Sequence, residues 1–165
     1  MPEERPLAIV DLDGVVADVR HRLHHLRGRR KDWDAFFGAA AADLVHPEGA
    51  AIVATLAAEH EVVFLTGRPA HLRAATQHWL DEHGFGAHRL VMRPGGDRRP
   101  AAVLKIELVR ELAAGRRIGI VVDDDPDVLA AMRRAGHPAF AAEWEARGAA
   151  DEAALQQAQE DDGAT

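Results

Sequence analysis

The sequence predicts an α/β fold, a three-layer sandwich with a central parallel sheet and helices on both faces. Three observations predict it. Short apolar runs bounded by turn signals alternate with helix-period segments along most of the 165 residues. The runs lack polar/apolar alternation, as strands buried on both faces do. Three of them end in polar clusters, Asp11/Asp13, Thr66-Gly67-Arg68 and Asp123/Asp124. Parallel sheets gather their active groups at the carboxyl ends of strands, where the strand order reverses.

The first run, Leu7-Ala8-Ile9-Val10, leads straight into Asp11-Leu12-Asp13-Gly14. Side chains at i and i+2 of an extended chain point the same way, so the two carboxylates project into one site. Two acids that close repel each other unless a cation or a shared proton separates them. Asp13-Gly14 also fits a turn, but a turn does not account for Asp11.

A strongly basic stretch follows, from Val19 to Lys31, with Leu23 and Leu26 at helical spacing. Asp32-Trp33-Asp34-Ala35-Phe36-Phe37 then concentrates aromatics in a chain that is only 5% aromatic, so it anchors a short helical segment. Together these make a small helical lid at about 19–48. The basic run fits either a solvated face or a lip turned toward phosphate or nucleic acid. His21 and His25 have a spacing that zinc can use, but no third ligand is evident.

A helix over 50–60 follows from Ile52, Val53, Leu56 and Ala57. Glu61–Leu65 is a buried strand ending in Thr66-Gly67-Arg68-Pro69, which taken alone also reads as a plain strand-to-helix turn. A helix over 70–83 carries Leu72, Ala75, Trp79 and Leu80 on one face and stops near Gly84. Leu90-Val91-Met92 is a short strand. Arg93–Pro100 is a loop of glycine, proline and arginine, and the helix after it, 101–114, carries Lys105 early. The strand Arg117–Val122 runs into Asp123-Asp124-Asp125. That cluster is either a solvated acidic loop or a cation site, and three carboxylates after a buried strand are costly without a cation. A helix over 128–135 stops at Gly136, and 138–140 is a last short strand. Residues 1–145 therefore read as one domain, and the acidic 146–165 as a frayed helix or disordered tail.

Composition narrows the function. Net charge is −7, with 20 bases against 27 acids, which gives no general affinity for polyanions. The absence of cysteine excludes disulfides, thiol nucleophiles and Cys-type zinc sites. No apolar run reaches membrane-spanning length. Met1–Pro6 has acids and prolines where a signal peptide has a basic patch and apolar core, so a cytoplasmic protein is expected. Lysine occurs only at 31 and 105.

Four acids, a hydroxyl, a lysine and an arginine around one point suit phosphoryl transfer with a divalent cation. Asp11, Asp123 and Asp124 can hold Mg²⁺, a hard ion that prefers oxygen. Thr66, the Gly67 amide and Lys105 can bind phosphate oxygens and neutralise transition-state charge. One aspartate can attack phosphorus and a second can serve as general acid, then base.

Asp11-Leu12-Asp13-Gly14-Val15 resembles the first motif of the haloacid-dehalogenase-type (HAD) phosphohydrolases, and the later clusters follow in that superfamily's order. Within it the chain is similar to the 3′-phosphatase domain of phage-type polynucleotide kinases. The matching stretches include Arg22, Thr66-Gly67-Arg68, Thr76-Gln77-His78-Trp79, Gly96-Asp97-Arg98-Arg99 leading to Lys105, and Asp123-Asp124 with Met132-Arg133-Arg134. The resemblance implies the HAD fold, a Rossmann-like sandwich with no or minimal cap. It also implies a Mg²⁺-dependent phosphoric monoester hydrolase working through a phospho-aspartate. By it Asp11 is the nucleophile, Asp13 the general acid/base, and Lys105 completes the catalytic set. Thr66, Gly67, Arg68, Arg22 and Arg99 bind substrate, and Asp11, Asp13 (through its carbonyl), Asp123 and Asp124 bind metal. The expected partner is a polynucleotide or nucleotide 3′-phosphate, with a small phosphomonoester such as a 5′-nucleotide as the alternative.

The chain also departs from that pattern. Asp125 stands where those 3′-phosphatases have an arginine. No Gly-x-x-x-x-Gly-Lys-Ser/Thr loop is present, so no kinase half is expected. A phosphoacceptor receiver domain uses similar ingredients, but its acceptor aspartate follows the acid pair on a later strand, an order this chain lacks. A non-catalytic HAD-like binding module would not need every chemical position filled, as it is here. Neither 19–61 nor 69–104 has room for a full cap domain, so an open site or a small lid is expected.

Overall fold

The computed structural model describes residues 3–161. In chain order the elements are β1 (Leu7–Val10), β2 (Ala17–Asp18), α1 (Trp33–Gly38), β3 (Leu44–Val45), α2 (Pro47–Glu59), β4 (Glu61–Pro69) and α3 (Arg73–Glu82). After these come β5 (Arg89–Arg93), α4 (Ala101–Leu112), β6 (Ile118–Asp123), α5 (Pro126–Arg134), β7 (Ala139–Ala141) and α6 (Ala149–Asp161). Short 3₁₀ segments cover Arg20–Leu26, Ala40–Ala42 and Ala70–Leu72.

Five strands form a parallel sheet in the order β5-β4-β1-β6-β7. All four residues of β1 are buried because helices cover both faces. Ala8, Val10, Val62 and Phe64 pack with Val53, Trp79 and Leu80 on one side. Leu7, Ile9, Val63 and Leu65 pack with Leu104, Leu108, Val128 and Met132 on the other. The two-residue period of the strand sends alternate side chains to opposite layers, and each fully buried large side chain contributes about 1.5–3 kcal/mol. From β1 the chain moves outward to β4 and β5, then crosses back to β6 and β7 on the other side. The order therefore reverses at β1, and its carboxyl end is the crevice where an α/β sheet binds ligands.

The segment expected as a lid, about 19–48, follows a turn at Gly14, whose φ of +81° suits glycine. β2 and β3 pair antiparallel as a two-stranded ribbon, and the basic 3₁₀ segment and α1 lie between them. Val19, Leu23, Leu26 and Phe36 form the lid's own small core. The sequence expects a frayed helix or a disordered tail over 146–165, and most of that stretch is helical. Residues 149–161 form α6, and its Leu155 and Ala158 are buried in the lid core. Its partners lie more than a hundred residues upstream, so no local pattern announces them. The rest of the expected tail, 162–165, lies outside the described residues. No helix among them is long and apolar enough to cross a membrane.

Candidate active site

Asp11 leaves the sheet at the end of β1, its amide still donating to Val122 O at 3.0 Å. β6 ends beside it in Asp123, with Asp124 next. Carboxylate oxygens of Asp11, Asp123 and Asp124 all lie within 4.8 Å of one another. From α4, Lys105 inserts its ammonium between them, with Nζ 3.1 Å from Asp11 Oδ1 and 2.7 Å from Asp123 Oδ2. Lys105 is buried, and burial alone would lower its pKa. The carboxylates of Asp11 and Asp123 outweigh burial and hold it charged. Burial raises Asp11 well above the ordinary carboxylate range, against the pull of Lys105. Burial and then Asp123 push Asp124 up to about 7. Three crowded acids short of positive charge, all offering oxygen, suit a hard divalent cation. Asp124 Oδ1 fits the same picture: it is buried with no hydrogen-bond partner.

Asp13 has different partners, although its charge still acts on Asp11. Its carboxylate accepts hydrogen bonds from Arg68 Nη2 at 2.5 Å and Nε at 3.1 Å, and from Arg22 Nη2 at 2.9 Å. Burial would raise its pKa, but Arg68 and then Arg22 outweigh burial and hold it far below the usual range. Both arginines are also paired with Asp43, at 2.7 Å from Arg22 and 3.2 Å from Arg68. Arg22 lies over the Phe36 ring, 4.2 Å from its centroid. The two side chains are at most 3% exposed. The sequence assigns both arginines to substrate, whereas the structure turns them to Asp13 and Asp43. Asp43 is a site residue that sequence reasoning missed. It follows an alanine run with no motif around it, and its Oδ1 also engages His21 Nε2 at 2.7 Å.

β4 brings Thr66 and Gly67 to the same sheet end, since Val10 pairs with Phe64 two residues earlier. Thr66 Oγ1 accepts from the Arg68 amide at 3.2 Å, and Gly67 O accepts from Arg93 Nε at 3.0 Å. Arg99 is not brought to the acid cluster: its ion pairs among the described residues are with Asp97 and Glu107. Asp125 caps α5, accepting from the Asp127 amide at 2.8 Å, which gives that departure a structural use. The basic lip is only partly available. Arg20 pairs with Asp18, Arg27 with Asp151, and Arg22 is buried. Arg29 and Arg30 are exposed and line a shallow cavity with Trp33. A neighbouring groove is lined by Trp33, Phe37, Leu72, Pro69, Arg93 and Arg98.

A parallel sheet whose central strand carries Asp-x-Asp, beside a buried lysine and a second acid pair, is the framework of a HAD-type phosphatase. Residues 6–144 match the family described as the polynucleotide kinase PNKP phosphatase domain, and the chain belongs to that family of phosphoric monoester hydrolases. Among solved structures it is similar to a chain of the Pnkp1/Rnl/Hen1 RNA repair complex, with 24% identity and a TM-score of 0.68, over 83% of this chain and 42% of that one. A second structure of the Pnkp1/Rnl/Hen1 complex gives 24% identity and 0.67, over 86% and 47%. The chain thus spans less than half the length of these two. A haloacid dehalogenase-like hydrolase from Streptococcus pneumoniae gives 11% identity and 0.58, over 96% and 92%. No curated protein matches the sequence significantly.

Proposed function

We propose that this protein is a Mg²⁺-dependent phosphomonoesterase that works through a phospho-aspartate on Asp11, with a polynucleotide 3′-phosphate end as its substrate. The observation that carries the chemistry is Lys105 set between Asp11 and Asp123 beside an acid cluster crowded enough to need a cation. A carboxylate oxygen of Asp11 attacks phosphorus, the phosphorus bond to the substrate oxygen breaks, and Asp13 gives that oxygen a proton. Water then attacks the phospho-aspartate, loses a proton to Asp13, and inorganic phosphate leaves. Arg68 and Arg22 favour ionised Asp13, so they lower its proton affinity and make taking up a proton the demanding part of its acid and base roles. Thr66, the Gly67 amide and Lys105 orient the phosphoryl oxygens. Asp11, Asp123, Asp124 and the Asp13 carbonyl would hold Mg²⁺, which supplies charge neutralisation at the transferring group.

Family membership, the small lid, exposed Arg29 and Arg30 and the aromatic groove support a polymer end. The test is turnover of a 3′-phosphorylated oligonucleotide, a 5′-phosphorylated one and a 3′-mononucleotide, with Mg²⁺ and with EDTA. The 3′-oligonucleotide should show the lowest KM, and EDTA should abolish all turnover. Equal KM values for oligomer and monomer at low salt would favour a small phosphomonoester instead. Full activity in EDTA would remove the metal from the reading.

A further inference from the structure

Arg147 lies just past the span that matches the family, 6–144, and it reaches back into the acid cluster. Its Nη2 donates to Asp124 Oδ2 at 2.5 Å. The guanidinium is pinned from two other sides, by Glu145 Oε2 at 2.5 Å and by Glu152 Oε2 of α6 at 3.0 Å. Glu145 is held in turn by the Val19 amide at 2.9 Å and by His46 Nε2 at 3.0 Å. The Arg147 side chain is 5% exposed and that of Asp124 is 7% exposed. Gly14 clears the way for this pair: a Cβ there would overlap both Asp124 Oδ2 and Arg147 Nη2. The two oxygens of Asp124 therefore have different fates. Oδ2 belongs to the arginine, and Oδ1 is buried with no hydrogen-bond partner.

We propose that Arg147 is a metal-specificity residue, which by occupying one oxygen of Asp124 confines that carboxylate to single-oxygen ligation and so favours Mg²⁺ over Ca²⁺. The proposal rests on the reading that Asp11, Asp123 and Asp124 hold a divalent ion. Mg²⁺ takes six ligands in strict octahedral geometry and is satisfied by single oxygens. Ca²⁺ is larger, takes up to about eight oxygens and gains from carboxylates that offer both. Arg147 withholds the oxygen that calcium would use and magnesium does not need. Its positive charge repels either dication alike, so the charge effect cancels when the two affinities are compared as a ratio.

Isothermal titration of the full chain with Mg²⁺ and with Ca²⁺ reads that ratio without turnover. R147M keeps the length of the stem and frees Oδ2. It should move the ratio of dissociation constants toward calcium by about tenfold. Circular dichroism checks folding, and R147Q makes the same comparison if R147M does not fold. An unchanged ratio in a folded variant overturns the proposal and leaves the metal reading intact. No ion binding by the wild type, or wild-type binding by D124N, overturns the metal reading and the proposal with it.

Discussion

Asp11, Asp13 and Lys105 owe their different chemistry to what each faces. Asp11 is backed by one ammonium and crowded by acids, whereas Asp13 is clasped by two guanidinium groups. On the proposed mechanism, Asp11→Asn keeps the shape and removes the attacking charge, so kcat should fall about a thousandfold, roughly 4 kcal/mol; near-normal turnover by the pure variant excludes the covalent role. Lys105→Ala should cut kcat at least about a hundredfold, because the buried charge between Asp11 and Asp123 is lost. Lys31→Ala, beside the exposed cavity, should change mainly KM. Equal, mild effects from the two lysine variants would place the chemistry elsewhere. Asp13 also makes a pH-dependent contribution to stability. Its pKa is depressed in the fold, so that contribution is complete above the unfolded value of 3.8 and is lost as pH falls toward the folded one. The melting-temperature gap between wild type and Arg68→Met should therefore be full at about pH 5 and narrow below it; a gap that ignores acid contradicts the pairing. The acids of this site were legible because Asp11/Asp13 and Asp123/Asp124 are neighbours in sequence at the ends of apolar runs. Asp43 and Arg147 were not, since each reaches the site through tertiary packing with no motif around it.

At the level of elements, legibility followed length and period. The sheet strands β1, β4 and β6 and the helices α2 to α5 carry enough apolar period to be read, with ends off by a few residues. β2 and β3, two residues each, carry no period, and they form through their antiparallel pairing with each other, Ala17 with Val45 and Asp18 with Leu44. α6 is rich in alanine, glutamate and glutamine, and its stability comes from Leu155 and Ala158 docking on Val19, Leu23, Leu26 and Phe36. Leu155→Ala removes the larger of those two anchors, 4% exposed, at a cost of about 2 kcal/mol. Because α6 packs on the lid and not on the sheet, the loss should be local. Hydrogen exchange should quicken in 149–161 and 20–26 while the β1 amides keep their protection. Uniform loss of protection across the sheet would show that α6 is integral to the main core.

The whole molecule combines two electrostatic facts that pull in opposite directions. The chain as a whole is acidic, at −7, and repels a polyanion at long range. On one part of the surface, however, Arg29 and Arg30 stand exposed and line a cavity with Trp33, and Arg98 lines the groove that shares Trp33 with it. Screening weakens both terms with salt, but only the close contacts release counterions from a bound strand. If the polymer-end reading holds, KM for a 3′-phosphorylated oligonucleotide should rise with salt more steeply than KM for the 3′-mononucleotide. The log–log slope should drop by about 1.4 in the Arg29→Ala/Arg30→Ala double variant, as two single-strand phosphate contacts disappear. The mononucleotide, which has no further strand to contact these arginines, should be unaffected by the same change. A double variant whose oligonucleotide slope matches the wild type would show that the strand leaves the site by another route, with the groove face at Arg98 as the next segment to alter.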